Sequence, residues 1–229
     1  MGLSNAEIVA LLLSLKVSSV AVLIALPFAI VVAEILARWR FPGRAFVDGL
    51  VHLPLILPPV VMGYLLLITF GAKAPLGHWL AETIGIRFMF SWTGAALAAA
   101  IVTFPFQVRS IRLALEAIDP GLRDAAETLG AGPLGRFFSI TLPLALPGII
   151  AGAITAFAAS LGEFGAIITF VSNIPGETRT LPLAIYSALQ SPDGESIAAR
   201  LAGLSILLAF FGLALSEIAA SRVRRMMER

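Results

Sequence analysis

The sequence contains no cysteine. Disulfides, thiolate metal sites and cysteine nucleophiles are therefore excluded. Charge is scarce: Asp, Glu, Lys and Arg make up 13% of the 229 residues, where a soluble domain carries roughly a quarter. Histidine occurs only as His52 and His78, isolated and without metal-ligand spacing. No Gly-x-x-x-x-Gly-Lys-Ser/Thr loop or other phosphate cradle is present. The residues thus offer no catalytic group and no metal site. The start, MGLSNAEIVA, lacks the basic residues of a cleavable signal, so none is expected.

Apolar sequence is abundant. Hydrophobic residues make up 59% of the chain, and the mean hydropathy is +0.95. Several apolar runs exceed the roughly 18 residues that cross a hydrocarbon core of about 30 Å. The alternating segments of about 10 residues that mark a membrane β-barrel are absent. The fold class is all-α: a polytopic transmembrane bundle in one domain, with its core at about 8–220. Five spans are expected at about 8–36, 49–70, 91–113, 143–171 and 197–220. An extra half-span within 71–90 or 172–196 is the alternative, and a short helix is expected from Pro182 to Gln190. No internal repeat, linker or second domain is visible.

Breaks are expected inside the spans. Pro54, Pro58 and Pro59 predict a kinked or partly unwound second span. Pro105 bends the third, whose start (Gly94, Ala95, Ala96, Ala98, Ala99, Ala100) is small enough for close helix packing. Gly162 or Gly165 bends the fourth. Lys16 and Glu34 are placed to snorkel from the first span, and Glu34 to pair with Arg38. Eleven Lys/Arg fall in the 37–48 loop, the 109–142 region and the C-terminal tail, against four in the other connections. The positive-inside rule then predicts an outside N-terminus and a cytoplasmic C-terminus. The tail Arg222–Arg229 also favours anionic lipid, and nucleic acid is not an expected partner.

Residues 119–143 form a polar island in this apolar chain. Asp119 is a good N-cap and Pro120 a good first helical residue. Leu122, Ala125, Ala126 and Leu129 follow at i, i+3, i+4 and i+7 on one face. Arg123, Asp124, Glu127 and Thr128 take the other face, and Gly130 ends the helix. A turn at Gly132–Pro133 leads to a second short helix over 134–140 that presents Phe137 and Phe138, and Pro143 opens the fourth span. A helix of about three turns is marginal alone in water, so it needs a host surface. From physics alone, a lipid interface, its own bundle and a soluble partner all remain open as hosts.

DAAETLG, nine residues, then ITLP resembles the EAA loop of binding-protein-dependent ABC import permeases. The pattern falls on Asp124, Ala125, Ala126, Gly130, Ile140, Leu142 and Pro143, with Asp124 where glutamate is usual. The segments LLLSLKVSSVAVLIALPFAI, FPGRAFVDGLVHLPLILPPVVMGYLLL and ITLPLALPGIIAGAITAFAASLGEFGAIITFVSNIPGETRTLPLAIY, with the loop DGES, resemble molybdate permease subunits. Sulfate permeases share several of these blocks. The resemblance implies a type I ABC importer permease fold in a bacterial inner membrane, moving a tetrahedral oxyanion, molybdate first, with sulfate or tungstate as the alternative. It implies a homodimer, two copies of a cytoplasmic ATP-binding subunit, and a periplasmic oxyanion-binding protein. It makes 119–142 the coupling loop, with Asp124, Ala125, Ala126, Glu127, Leu129 and Gly130 docking on the ATPase.

Candidate pathway or gate residues sit at breaks: Pro58, Pro59 and Gly63; Thr103; Ser160, Gly162 and Glu163. Each proline also has a reading as a plain packing kink. A carboxylate within a span costs a few kcal/mol unless paired or wet, so Glu163 is read as a structural or gating group with Arg179 as its partner. No Lys or Arg sits at the centre of a span, which points to a low-affinity conduit. A stand-alone secondary transporter and a membrane scaffold are the rivals from other classes.

Overall fold

The computed structural model describes residues 3–227, and Arg229 of the basic tail lies outside them. Among the described residues the chain is helical, with no strand. Helix α1 (Asn5–Arg38) opens on a reciprocal cap. Glu7 N–H donates to Ser4 Oγ at 3.3 Å, and Ser4 N–H donates to Glu7 Oε2 at 2.6 Å. Its buried stripe carries the alanines Ala10, Ala21, Ala25, Ala29 and Ala33. That stripe lets it pack closely on α5 (Trp92–Glu116), whose Ala95, Ala96, Ala98 and Ala99 are buried in turn. The two helices run the same way, with Trp92 beside Lys16 and Gln107 beside Val22. Helix α8 (Leu142–Leu161) returns antiparallel to α5, with Ser110 against Gly148.

The second span is broken. Helices α2 (Arg44–Ile56) and α3 (Pro59–Phe70) meet at 116°, far more than a kink. Pro58 and Pro59 supply no N–H, and the pre-proline residue Leu57 is held extended at φ −73°, ψ 141°. Among the described residues four helices are long and apolar enough to cross a membrane, or five if this bent pair counts as one span. The 71–90 segment holds only the short helix α4 (Pro75–Thr83).

Helix α6 (Pro120–Thr128) follows α5. The expected second island helix is not separate, and Pro143 does not open the fourth span. Helix α7 (Pro133–Arg136) runs through a π turn (Phe137–Thr141) directly into α8. The wider turn has a physical cause. Pro143 lacks an N–H and crowds the preceding turn, and one extra residue, with Leu142 N–H bonding Phe137 O, absorbs the misfit. The expected bend near Gly162 is a full break: α8 caps at Gly162, and α9 (Gly165–Val171) is a separate short helix. Helices α10 (Leu181–Leu189) and α11 (Glu195–Met227) complete the chain.

Two buried clusters share the interior. One joins Leu13, Val17 and Ala21 of α1 to Met62 and Leu66 of α3, the α5 alanines, and Ile167 and Phe170 of α9. The other joins Ala29, Ala33 and Leu36 to Val108, Ile111 and Leu115 of α5 and to Ala145 and Ile149 of α8. The second lies at the end of the bundle that carries α6.

Candidate functional site: a stand-off helix and a pair of broken spans

Helix α6 forms where its sequence places it. Asp119 Oδ1 accepts from Gly121 N–H at 2.8 Å, and Pro120 is the first helical residue. At the other end Gly130 takes φ +85°. Gly130 N–H donates to Glu127 O and Ala131 N–H to Ala126 O, both at 2.9 Å. This paired closure needs a left-handed residue, which glycine supplies without strain. No residue of α6 is buried, and Leu129 is 88% exposed. Asp124 and Ala125 are exposed, and Ala126 is half-buried. The helix therefore does not cap its own bundle, and the apolar Leu122–Leu129 face is left without a partner in the monomer. Its side-chain tie to the following helix is the ion pair Glu127–Arg136.

Several pathway candidates are brought together by the breaks in spans two and four. Pro58 caps α3, and Pro59 lies against Gly165, where an added Cβ would stand 2.7 Å from Pro59 Cβ. Gly63 lies against α9: an added Cβ would meet Ala166 O and Thr169 Cβ, each at 2.7 Å. Gly162 and Glu163 form the α8–α9 break beside this contact. The remaining candidates lie elsewhere. Thr103 is buried in α5 and donates to Ala99 O at 2.7 Å on its own helix. Ser160 faces α1, donating to Ser18 Oγ at 3.0 Å.

The expected Glu163–Arg179 pair is not formed. Glu163 is 8% exposed, and its Oε1 accepts from Ala166 N–H at 2.7 Å, satisfying an orphan donor of the first α9 turn. A carboxylate there also sits well against the positive end of the helix. Arg179 Nε instead donates to Asn173 Oδ1 at 2.9 Å, and Asn173 Nδ2 donates to Ser187 Oγ at 2.7 Å. Lys16 is exposed, and its Nζ stands 3.5 Å from the centroid of the Trp92 ring. The Glu34–Arg38 pair is formed, at 2.6 Å.

A line of polar contacts along α1 escaped the sequence reading apart from Ser160. Leu181 N–H donates to Ser14 Oγ at 2.7 Å, and Gln107 Nε2 to Val22 O at 3.4 Å. Arg38 Nη2 donates to Thr141 Oγ1 at 3.4 Å near the α6 end. Ser14 and Ser18, four apart on the alanine stripe, were the available signal. Two charge clusters were also missed. Arg200 reaches Glu7 Oε1 at 3.0 Å at the far end. Arg112 reaches Asp48 at 3.0 Å and Glu116 at 2.8 Å, beside a cavity of about 290 Å³ that Arg109 and His52 also line. Among the described residues no group of three or more His, Asp or Glu is placed to hold a metal ion.

Residues 25–225 match the family described as the binding-protein-dependent transport system inner membrane component. The chain belongs to that family. The molybdenum transport system permease protein ModB of Escherichia coli (strain K12) is 60% identical over 217 residues, covering 95% of each chain. The sulfate transport system permease protein CysT of the same organism is 39% identical over 186 residues, covering 80% of this chain and 67% of that one. Among solved structures, a chain of a bacterial alginate ABC transporter in complex with its alginate pentasaccharide-bound periplasmic protein overlays with a TM-score of 0.76. It is 21% identical, covering 96% of this chain and 80% of that chain. The fold is that of an ABC importer permease, as the island motif implied, and the chain is a multi-pass membrane subunit of a transport system.

Proposed function

We propose that this permease is the membrane subunit of an ATP-driven molybdate importer. The 60% identity to a molybdenum permease across nearly the whole chain supports molybdate over sulfate, for which the relative is 39% identical. In this reading two copies pair around one path. A cytoplasmic ATP-binding subunit, also in two copies, binds ATP and magnesium and does the hydrolysis, and a periplasmic oxyanion-binding protein delivers the cargo. The eleven basic residues of the 37–48 loop, the 109–142 region and the tail favour a cytoplasmic position for the α6 end, with the N-terminus outside.

One observation carries the coupling role: α6 is capped at both ends yet none of it is buried. A nine-residue helix with no host on its own chain is stable only when something else covers its apolar face. Asp124, Ala125, Ala126, Glu127, Leu129 and Gly130 are then the docking set, seated in a cleft of the ATP-binding subunit. Closure of the ATP-binding dimer would carry the two α6 helices together. Because α7, the π turn and α8 are one continuous helix, displacement of α6 reaches the α8–α9 break directly. There Pro58, Pro59, Gly63, Gly162 and Glu163 form the contact that shifts between open and closed arrangements. The intramembrane carboxylate Glu163 is engaged with backbone N–H groups, which leaves selection of the anion to the binding protein.

The docking role is tested by co-purification. Ala125→Glu places a charge in the docking face, and Gly130→Pro removes the closing geometry. Both variants are expected to insert normally, to lose the ATP-binding subunit and to lose uptake. Normal retention of that subunit by both would overturn the docking assignment.

A further inference from the structure

Among the described residues, the ion pair of Glu127 with Arg136 is the single side-chain bond that leaves α6 for another element. Every other polar side chain of the helix bonds within it or to nothing. Between α6 and α7 the chain passes through Gly130 and Gly132, both exposed, with no atom near enough to restrain an added Cβ. The backbone joint closes through Ala131 N–H on Ala126 O, and the ion pair is the side-chain tie that adds to it in setting the angle between the two helices. Arg136 is only 17% exposed at its side chain while Glu127 is 63% exposed, so the guanidinium is held in place and the carboxylate reaches to it.

The other side of the joint is tied as well. Arg136 directly precedes the π turn Phe137–Thr141, and the turn ends at Thr141, which is buried. Arg38 donates to the Thr141 hydroxyl at 3.4 Å and is itself held by Glu34 at 2.6 Å. A mid-helix π turn is a weak point in the hydrogen-bond ladder and a natural place for a helix to flex. Here one arginine stands on each side of it: Arg136 tied outward to α6, Arg38 tied inward to α1.

We propose that Glu127 and Arg136 form a strut that makes α6 and the α7–α8 helix move as one body. This rests on α6 being the docking helix. The strut passes displacement of α6 to the membrane, and the Arg38–Thr141 tie sets the pivot. An exposed ion pair contributes little to stability. Its loss leaves the fold intact and changes how much of the ATP-binding subunit's stroke reaches α8. Arg136 is thus a positioning residue outside the docking set, acting through Glu127 of α6.

The test uses the assembled transporter in proteoliposomes, with its ATP-binding subunit and binding protein, and reads molybdate taken up per ATP hydrolysed. Arg136→Gln, which lies outside the docking set, is expected to keep the ATP-binding subunit in the same proportion as the unaltered chain. Uptake per ATP should fall about fivefold, the scale set by losing one charge-assisted contact. Arg136→Lys, which keeps the charge, should recover most of that loss. Unchanged uptake per ATP in Arg136→Gln overturns the strut, as does an Arg136→Lys variant no better than Arg136→Gln. Loss of the ATP-binding subunit from Arg136→Gln also overturns it, because Arg136 would then act in docking. Ala125→Glu is run alongside: if it retains the ATP-binding subunit, the docking reading fails whatever the strut variants do.

Discussion

Gly63 of α3 lies so close to α9 that a methyl group on it would stand 2.7 Å from the carbonyl oxygen of Ala166. The atom in the way is backbone, so no side-chain rotation relieves the clash. Gly63→Ala is expected to separate the two broken spans at the cost typical of overpacking, about 1–3 kcal/mol. Uptake should fall strongly while the ATP-binding subunit still co-purifies. Gly85, with no atom within 4 Å of an added Cβ but φ +76°, gives a control for backbone strain without crowding.

Glu163 and Arg179 have separate partners, and their substitutions should act independently. Glu163→Gln keeps an acceptor for Ala166 N–H and is expected to be mild. Glu163→Ala loses it, at about 1 kcal/mol for a lost helix-end bond. The double variant Glu163→Gln with Arg179→Gln should equal the sum of its parts in thermal unfolding and uptake. A coupling well above the roughly 0.5 kcal/mol scatter of independent sites would restore a gate between them.

At the far end, Glu7 is buried and closed by Ser4 on one side and Arg200 on the other. Arg200→Gln leaves the carboxylate short of its charged partner. The expected loss is about 1–2 kcal/mol in detergent unfolding, less than for a fully buried pair because Arg200 is partly exposed. Glu7→Gln together with Arg200→Gln should recover part of it.

Local signals along the chain were legible wherever the constraint was local. Asp119, Pro120 and Gly130 mark α6 to within a residue, because caps depend on neighbours in sequence. Pro58 and Pro59 marked a break but not its 116° size, which depends on contacts far apart in sequence. Pro143 was misread as a helix start. A proline is compatible with a first turn, and nothing in the sequence shows that a π turn absorbs it inside a continuous helix. The Glu163–Arg179 pairing failed for a related reason: charge suggests a partner, but the nearest donors were backbone N–H groups. Gln107 and Ser18 were overlooked because their contacts cross between helices whose register only the fold determines.

The central claim is that this chain carries molybdate across a membrane under the drive of ATP hydrolysed on another subunit. Radiolabelled molybdate uptake into ATP-loaded proteoliposomes, with the ATP-binding subunit and the binding protein present, tests it most directly. The expected result is uptake that needs ATP and both partners, is competed by unlabelled molybdate well before sulfate, and is lost in Ala125→Glu. Uptake that proceeds without the ATP-binding subunit, or that sulfate displaces as readily as molybdate, would contradict it.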